Sequence, residues 1–187
     1  RAGEIHAVVG ENGSGKSTIA QALLKLLASH KIEAVHLRLD EIRKEIVPKP
    51  HYSEEERERV YRAYAERGLA LIRQGKNVIL DATAHRKKWR DSVRNKVNNF
   101  LEVHIKCDLA TCIKRESERK EGSIMADLYK KALERKKTGK GFPGLGEVIG
   151  VDVPYEENEE AEVKIESDRL APQVAANRIF VELQRFS

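Results

Sequence analysis

Residues 8–18 read VVGENGSGKST, and the stretch Gly10-Glu11-Asn12-Gly13-Ser14-Gly15-Lys16-Ser17 satisfies G-x-x-x-x-G-K-[ST] in full, with Thr18 following. The apolar run IHAVV (5–9) predicts a short buried strand before it. Ile19, Leu23, Leu24 and Leu27 predict an amphipathic helix after it, from about Ser17 to Ser29. A strand on one side and a helix on the other is the setting in which this motif carries meaning. Its glycines let backbone N–H groups converge on a phosphate, and the helix N-terminus adds a positive end. Lys16 is then the expected partner of the β- and γ-phosphates, and the Ser17 hydroxyl helps to hold Mg²⁺. Gly10, Asn12, Gly13, Ser14, Gly15, Lys16, Ser17 and Thr18 together predict a cradle for a nucleoside triphosphate.

Outward from this turn, strands and helices alternate. AVHLRL (34–39), NVILDA (77–82), FLEVHIKC (100–107) and EVKIES (162–167) read as strands. Helices are expected at 53–74, opened by a capping box of Ser53 and Glu56, and at 86–97, 109–120, 124–137 and 171–185. Buried parallel strands alternating with helices predict an α/β fold: a P-loop NTPase with a five-stranded parallel sheet flanked by helices and carrying a helical lid. At 187 residues, with 40% apolar residues, one domain with a proper core is expected. The lid is placed at about 113–137 and a Gly-rich substrate loop at about 138–157. Lysine and arginine exceed acidic residues by five, which suits an anionic ligand without separating nucleotides from polynucleotides. Cys107 and Cys112 lack CxxC spacing and read as reduced thiols of a cytoplasmic protein. No run approaches the ~18 apolar residues of a membrane span.

The next question is where the phosphate goes. No NKxD base-reading motif of a switch GTPase is present. Asp40 lies just past the second strand, at the edge where a parallel sheet presents its ligands. A carboxylate there can accept or orient the proton of an attacking hydroxyl; the competing reading is a helix N-cap for 41–46. Arg43, one helical turn on, can fork onto an acceptor's anionic group. Arg57 belongs to a helix so charged that surface ion pairs compete as its explanation. Asp81 ends the third strand and is expected either to serve Mg²⁺ through water or Ser17, or to hold backbone amides. Thr83 and Arg86 follow at the same edge. Trp89 reads as packing and His85 as a surface residue. Arg115 and Arg119, one helical turn apart, are the expected lid cations of the transition state, with Lys130 in the same basic crowd.

With those residues in view, the chain resembles the adenylyl-sulfate kinases, P-loop kinases that use Mg-ATP to phosphorylate the 3′-hydroxyl of adenosine 5′-phosphosulfate. GENGSGKSTIA (10–20) is similar to the family's opening motif, and Asp40-Glu41-Ile42-Arg43 to the end of its DGDNVR. Tyr52-Ser53 and Arg57 fall where its GFS…R segment lies. DLYKKAL (127–133) is similar to GLYKKA, and Phe142 with GVDVPYE (150–156) to FTG…PYE. The resemblance implies that Phe142 and Tyr52 sandwich the acceptor's adenine. The chain departs from the family at Arg38, which stands in place of the first Asp of DGD, and at Glu41, Val60 and Thr83-Ala84-His85. EGSIMA (121–126) reads as extra lid residues. DEIR and DAT…R look more like polynucleotide kinases, whose Asp after strand two acts as base toward a 5′-hydroxyl.

The reading is therefore a kinase with Asp40, Lys16, Arg115 and Arg119 at the chemistry, and Ser17 and Asp81 at the metal. Asp40, Arg43, Tyr52, Arg57, Thr83, Arg86, Lys130 and Phe142 would face a nucleotide or small-molecule acceptor. A kinase of another hydroxyl, on a nucleic acid 5′ end or a small metabolite, remains the nearest rival, and a regulatory module with slow ATPase activity a more distant one. The expected assembly is a monomer or homodimer, off the membrane.

Overall fold

The computed structural model describes residues 3–118 and 127–186. Its elements run β1 (Ile5–Val9), α1 (Lys16–Ser29), β2 (Ala34–Arg38), α2 (Leu39–Ile46), α3 (Glu54–Arg73), β3 (Asn77–Ala82), α4 (Lys87–Arg94), β4 (Phe100–Lys106), α5 (Leu109–Ser117), α6 (Leu128–Thr138), β5 (Val163–Glu166) and α7 (Pro172–Phe186). The five strands form one sheet in the order β2-β3-β1-β4-β5, with every pairing parallel. This is the predicted P-loop NTPase sheet. Its central strand, β1, leads straight into the Gly-rich turn.

Strand alternation explains the two covering layers. Val8, Ile79, Val103, Ile105 and Ile165 face α1 and α7, where Ile19, Leu23, Leu27, Ile179 and Leu183 meet them. Ala7, Val9, Val78, Leu80 and Phe100 face α3 and α4, where Tyr61, Tyr64, Leu69, Trp89 and Val93 close the second core. Tyr61 and Trp89 stack there at 3.8 Å between centroids. Truncating a fully buried side chain such as Leu23 costs about 2–5 kcal/mol. A third cluster, with Cys112, Tyr129, Ala132, Leu145, Val148 and Val151, ties α5 and α6 to the loop before β5.

The helix ends follow sequence chemistry with two differences. Ser53 Oγ accepts from the Glu56 N–H at 3.2 Å, as a cap should, and three glutamates occupy the first turn of α3. The Glu56 carboxylate, however, reaches back to the N–H groups of His51 and Tyr52 rather than to that of Ser53. At β2 the strand stops one residue early, at Arg38, and α2 begins at Leu39. Asp40 is thus inside the first turn and not its N-cap.

Under the loop 155–162 lies a buried ionic layer. Arg90 Nε sits 3.0 Å from Glu102, Arg94 pairs with Glu102 and Glu162, and Asn158 donates to Glu102 at 2.9 Å. Arg90 also donates to the carbonyls of Ala84 and Glu156, joining the end of β3 to that loop. Breaking one partner of such a buried set is costly because it strands the other.

Candidate active site

The phosphate turn is held tightly from below. Gly13, at φ 77°, passes so close to α5 that a Cβ would lie 2.5 Å from the Cys112 carbonyl oxygen. At Gly10 a Cβ would lie 2.3 Å from the Ile105 carbonyl oxygen. Side chains are excluded at both positions, which is the physical content of the motif's glycines. Lys16 opens α1, and its ammonium donates to the Glu11 carbonyl at 2.8 Å, curling over the turn. Tyr129 donates its hydroxyl to the Asn12 carbonyl at 2.7 Å, and Thr83 donates to the Asn12 side chain at 3.2 Å.

Beside α1, the end of β3 brings Asp81 to the same polar cleft as Lys16 and Ser17. Asp81 is buried, and that burial pushes its carboxyl upward. Hydrogen bonds from His36 and Ser17, with the charge of Lys16, more than offset this and hold it below the usual carboxylate range. The His36 contact is 3.2 Å. His36, Ser17 and Lys16 therefore all act on the Asp81 carboxylate. His36 was missed in the sequence. Its signal is alternation, since His36 and Arg38 lie on the same face of β2 and Arg38 is in register with Asp81.

A second pocket adjoins this cleft. Asn12, Gly13, Leu39, Asp40 and Thr83 line both, and Arg43, Tyr52, Arg57 and Tyr61 line the second alone. Asp40 is exposed at the shared wall. Arg43 is buried and pairs with Glu56 at 2.8 Å, its guanidinium 5.0 Å from the centre of the Tyr52 ring. Arg57 is no surface arginine: it is 4% exposed and donates to the carbonyls of Tyr52 at 3.1 Å and Glu147 at 2.8 Å. Burial pushes the Tyr52 and Tyr61 hydroxyls up to about 12, so both stay protonated at neutral pH. Thr83 is positioned by Ala84, which is held at φ 41° with its N–H on the Tyr61 oxygen and its carbonyl on Arg90.

Other expected residues lie elsewhere. Arg86 pairs with Glu54 at 2.8 Å and lines neither cleft. His85 is buried edge-on against Trp89, which corrects its assignment to the surface. Burial lowers its pKa to about 4, with Arg57 and Arg86 adding to the effect. Lys130 is exposed on α6, away from both clefts. Phe142 packs on the third cluster with Lys140 5.1 Å from its ring, and does not line the pocket with Tyr52. Val60 is fully buried in the core. Arg115 lies 3.7 Å from where a Gly15 Cβ would stand, held by the Ser167 hydroxyl at 3.2 Å and carbonyl at 2.8 Å. It therefore borders the triphosphate turn and not the second pocket. Arg119 and the segment 121–126 fall outside the described residues.

The arrangement provides a Gly-rich phosphate turn with Lys16, a buried carboxylate beside it, and an acid on the wall of a second pocket rich in aromatic and guanidinium groups. That is the layout required to move a phosphoryl group onto a hydroxyl. Comparison with known proteins agrees. The adenylylsulphate kinase family model matches residues 3–166. A probable adenylyl-sulfate kinase of Archaeoglobus fulgidus is 32% identical over 162 residues, covering 87% of this chain and 94% of that protein. The adenylyl-sulfate kinase of Bacillus licheniformis is 33% identical over 165 residues, covering 86% and 74%. The fold is shared with the Mycobacterium tuberculosis APS kinase solved with AMPPNP and APS, at a TM-score of 0.78, 22% identity and 98% coverage of both chains. Among the described residues no helix is long and apolar enough to cross a membrane. The chain belongs to the adenylylsulphate kinase family, and it is a P-loop phosphotransferase of that kind.

Proposed function

We propose that this protein transfers the γ-phosphate of Mg-ATP to the 3′-hydroxyl of adenosine 5′-phosphosulfate. The observation that carries the reading is Asp40, exposed on the wall common to the triphosphate cleft and the second pocket. A carboxylate there can orient the hydroxyl in line with the terminal phosphate and accept its proton. Lys16 and the N–H groups of the turn hold the β- and γ-phosphates, with Arg115 beside them. Tyr52, Thr83, Arg43 and Arg57 face the acceptor, with Arg57 the cation there that has no carboxylate partner among the contacts described.

For Mg²⁺, Ser17 and the ionised Asp81 supply hard oxygens at the correct side of the turn. Among the described residues no group of three or more acidic, histidine or cysteine side chains could enclose a metal. Mg²⁺ prefers a few protein oxygens together with substrate phosphates and water. Once bound, the ion would neutralise charge building on the transferring group.

A second reading is favoured by one contact. Because Glu56 already neutralises Arg43, the pocket offers an acceptor less positive charge than two free arginines would. A 5′-hydroxyl oligonucleotide, whose nearest charge is a single phosphodiester, fits that balance. Turnover of Mg-ATP with adenosine 5′-phosphosulfate, beside a 5′-hydroxyl oligonucleotide and a no-acceptor control, tests both. Rapid 3′-phosphorylation of the phosphosulfate is expected; its absence, with the oligonucleotide phosphorylated instead, would replace the first reading by the second. Hydrolysis indifferent to every acceptor would replace both with a regulatory ATPase. The working form is expected to be a monomer or homodimer in the cytoplasm.

A further inference from the structure

Arg38 is unlike the other cations of the cleft. It ends β2 in register with Asp81 and lines the same polar cleft as Lys16, Ser17 and Asp81. Its Nε is buried without a hydrogen-bond partner and lies 4.0 Å from the Asp81 carboxylate. Its one close partner is Glu41, at 2.9 Å, and the two side chains are 37% and 58% exposed. A surface pair of that kind contributes little and is readily exchanged for a better anion. A guanidinium presents a planar fork of donors that matches phosphate oxygens.

We infer that Arg38 is a nucleotide-binding residue that contacts the terminal phosphates of ATP and takes over part of the charge neutralisation otherwise left to Mg²⁺. The inference rests on the ATP reading above and deepens it. A guanidinium beside Asp81 and a metal ion held by Asp81 and Ser17 would both neutralise charge on the terminal phosphates, so each would matter most when the other is missing. The cleft holds Lys16 and Arg38 against Asp40 and Asp81, and Arg38 has an exposed carboxylate, Glu41, as an alternative partner. Binding of metal-free ATP should therefore depend on Arg38 far more than binding of Mg-ATP does.

Calorimetric titration with ATP, once in EDTA and once in excess Mg²⁺, reads this directly without turnover. Arg38→Gln is expected to weaken metal-free ATP about ten-fold and Mg-ATP by less than about three-fold, with Arg38→Lys between the two. Glu41→Gln, which releases the guanidinium, should tighten metal-free ATP. Equal losses for both forms in Arg38→Gln would overturn the inference, as would no loss in either. If Arg38→Gln fails to fold, Glu41→Gln decides: unchanged metal-free affinity rejects the role. Wild-type protein that bound ATP in neither condition would overturn the nucleotide reading itself and this inference with it, whereas normal wild-type binding with indifferent variants would remove the inference alone.

Discussion

Lys16 and Arg57 are both buried cations in one continuous cleft, yet they are held in opposite ways. Lys16 belongs to a contiguous turn whose geometry is mostly backbone, fixed by glycines that no side chain can replace. Arg57 belongs to a pocket assembled from α2, α3, the end of β3 and the loop 145–149, fastened by side-chain donors that reach a nearby carbonyl, Tyr52, and a remote one, Glu147. The donor half is thus made once, by a short stretch of chain. The acceptor half is a negotiated object, in which each charge is set by a neighbour far away in sequence. Such a half can change its ligand by exchanging side chains while the phosphate turn stays as it is.

The sharpest way to break this comparison is to remove each half's chemistry in turn. Lys16→Ala should lower turnover about 10⁴-fold while leaving the melting temperature nearly unchanged, because its loss removes charge at the transferring group. Asp40→Asn should lower kcat about 10³-fold with ATP affinity preserved, as expected for a group acting only on the acceptor's proton. Nearly normal turnover in that variant would remove the centre of the proposed mechanism.

Stability should separate the halves as well. Glu56→Ala leaves Arg43 buried without its carboxylate and frees the N–H groups of His51 and Tyr52. A loss of about 3 kcal/mol in denaturant unfolding is expected, with a raised KM for the acceptor and little change for ATP. Equal changes in both KM values would mean that the halves are not independently built.

A smaller effect follows from the buried histidines. His6 and His104 are pushed down to about 4, chiefly by burial, as His85 is. In the unfolded chain they take up protons near 6.5, so the unfolded state binds more protons between about 6.5 and 4. Stability should therefore be fullest above pH 6.5 and fall as the pH drops toward 4. His104→Phe, which keeps the stack on Tyr155 at 4.8 Å, should flatten part of that slope in pH-dependent melting. Least of all is expected of Lys130→Ala: exposed on α6, it should change either KM less than about two-fold. A larger change would bring α6 into the acceptor half.

The same contrast explains what could be read in advance. The alternation of strands and helices, the phosphate turn and the places of Asp40 and Asp81 at strand ends are local or periodic features and legible in the sequence, whereas the order of the strands in the sheet is not. Arg57 was read against a background of surface charge, although its spacing to Val60, Tyr61, Tyr64 and Gly68 puts it on the buried face of α3. Arg43 was expected to be free for an anion; nothing local says that Glu56, one helix later, takes its fork. Likeness of motif places Phe142 in the acceptor pocket, whereas it packs on the third cluster, whose members come from α5, α6 and the loop before β5. His36 was hidden because its meaning depends on the neighbouring strand.

Asn12 is where these separate structures meet. Its carbonyl takes the Tyr129 hydroxyl from α6, and its side chain takes the Thr83 hydroxyl from the acceptor wall, within the turn that cradles phosphate. One residue is therefore a junction of three parts of the site, and a ligand that displaced it would disturb all three. Whatever ATP does to the acceptor's affinity by shifting Asn12, the acceptor must do to ATP's affinity by the same factor, because the two bindings share one free-energy cycle.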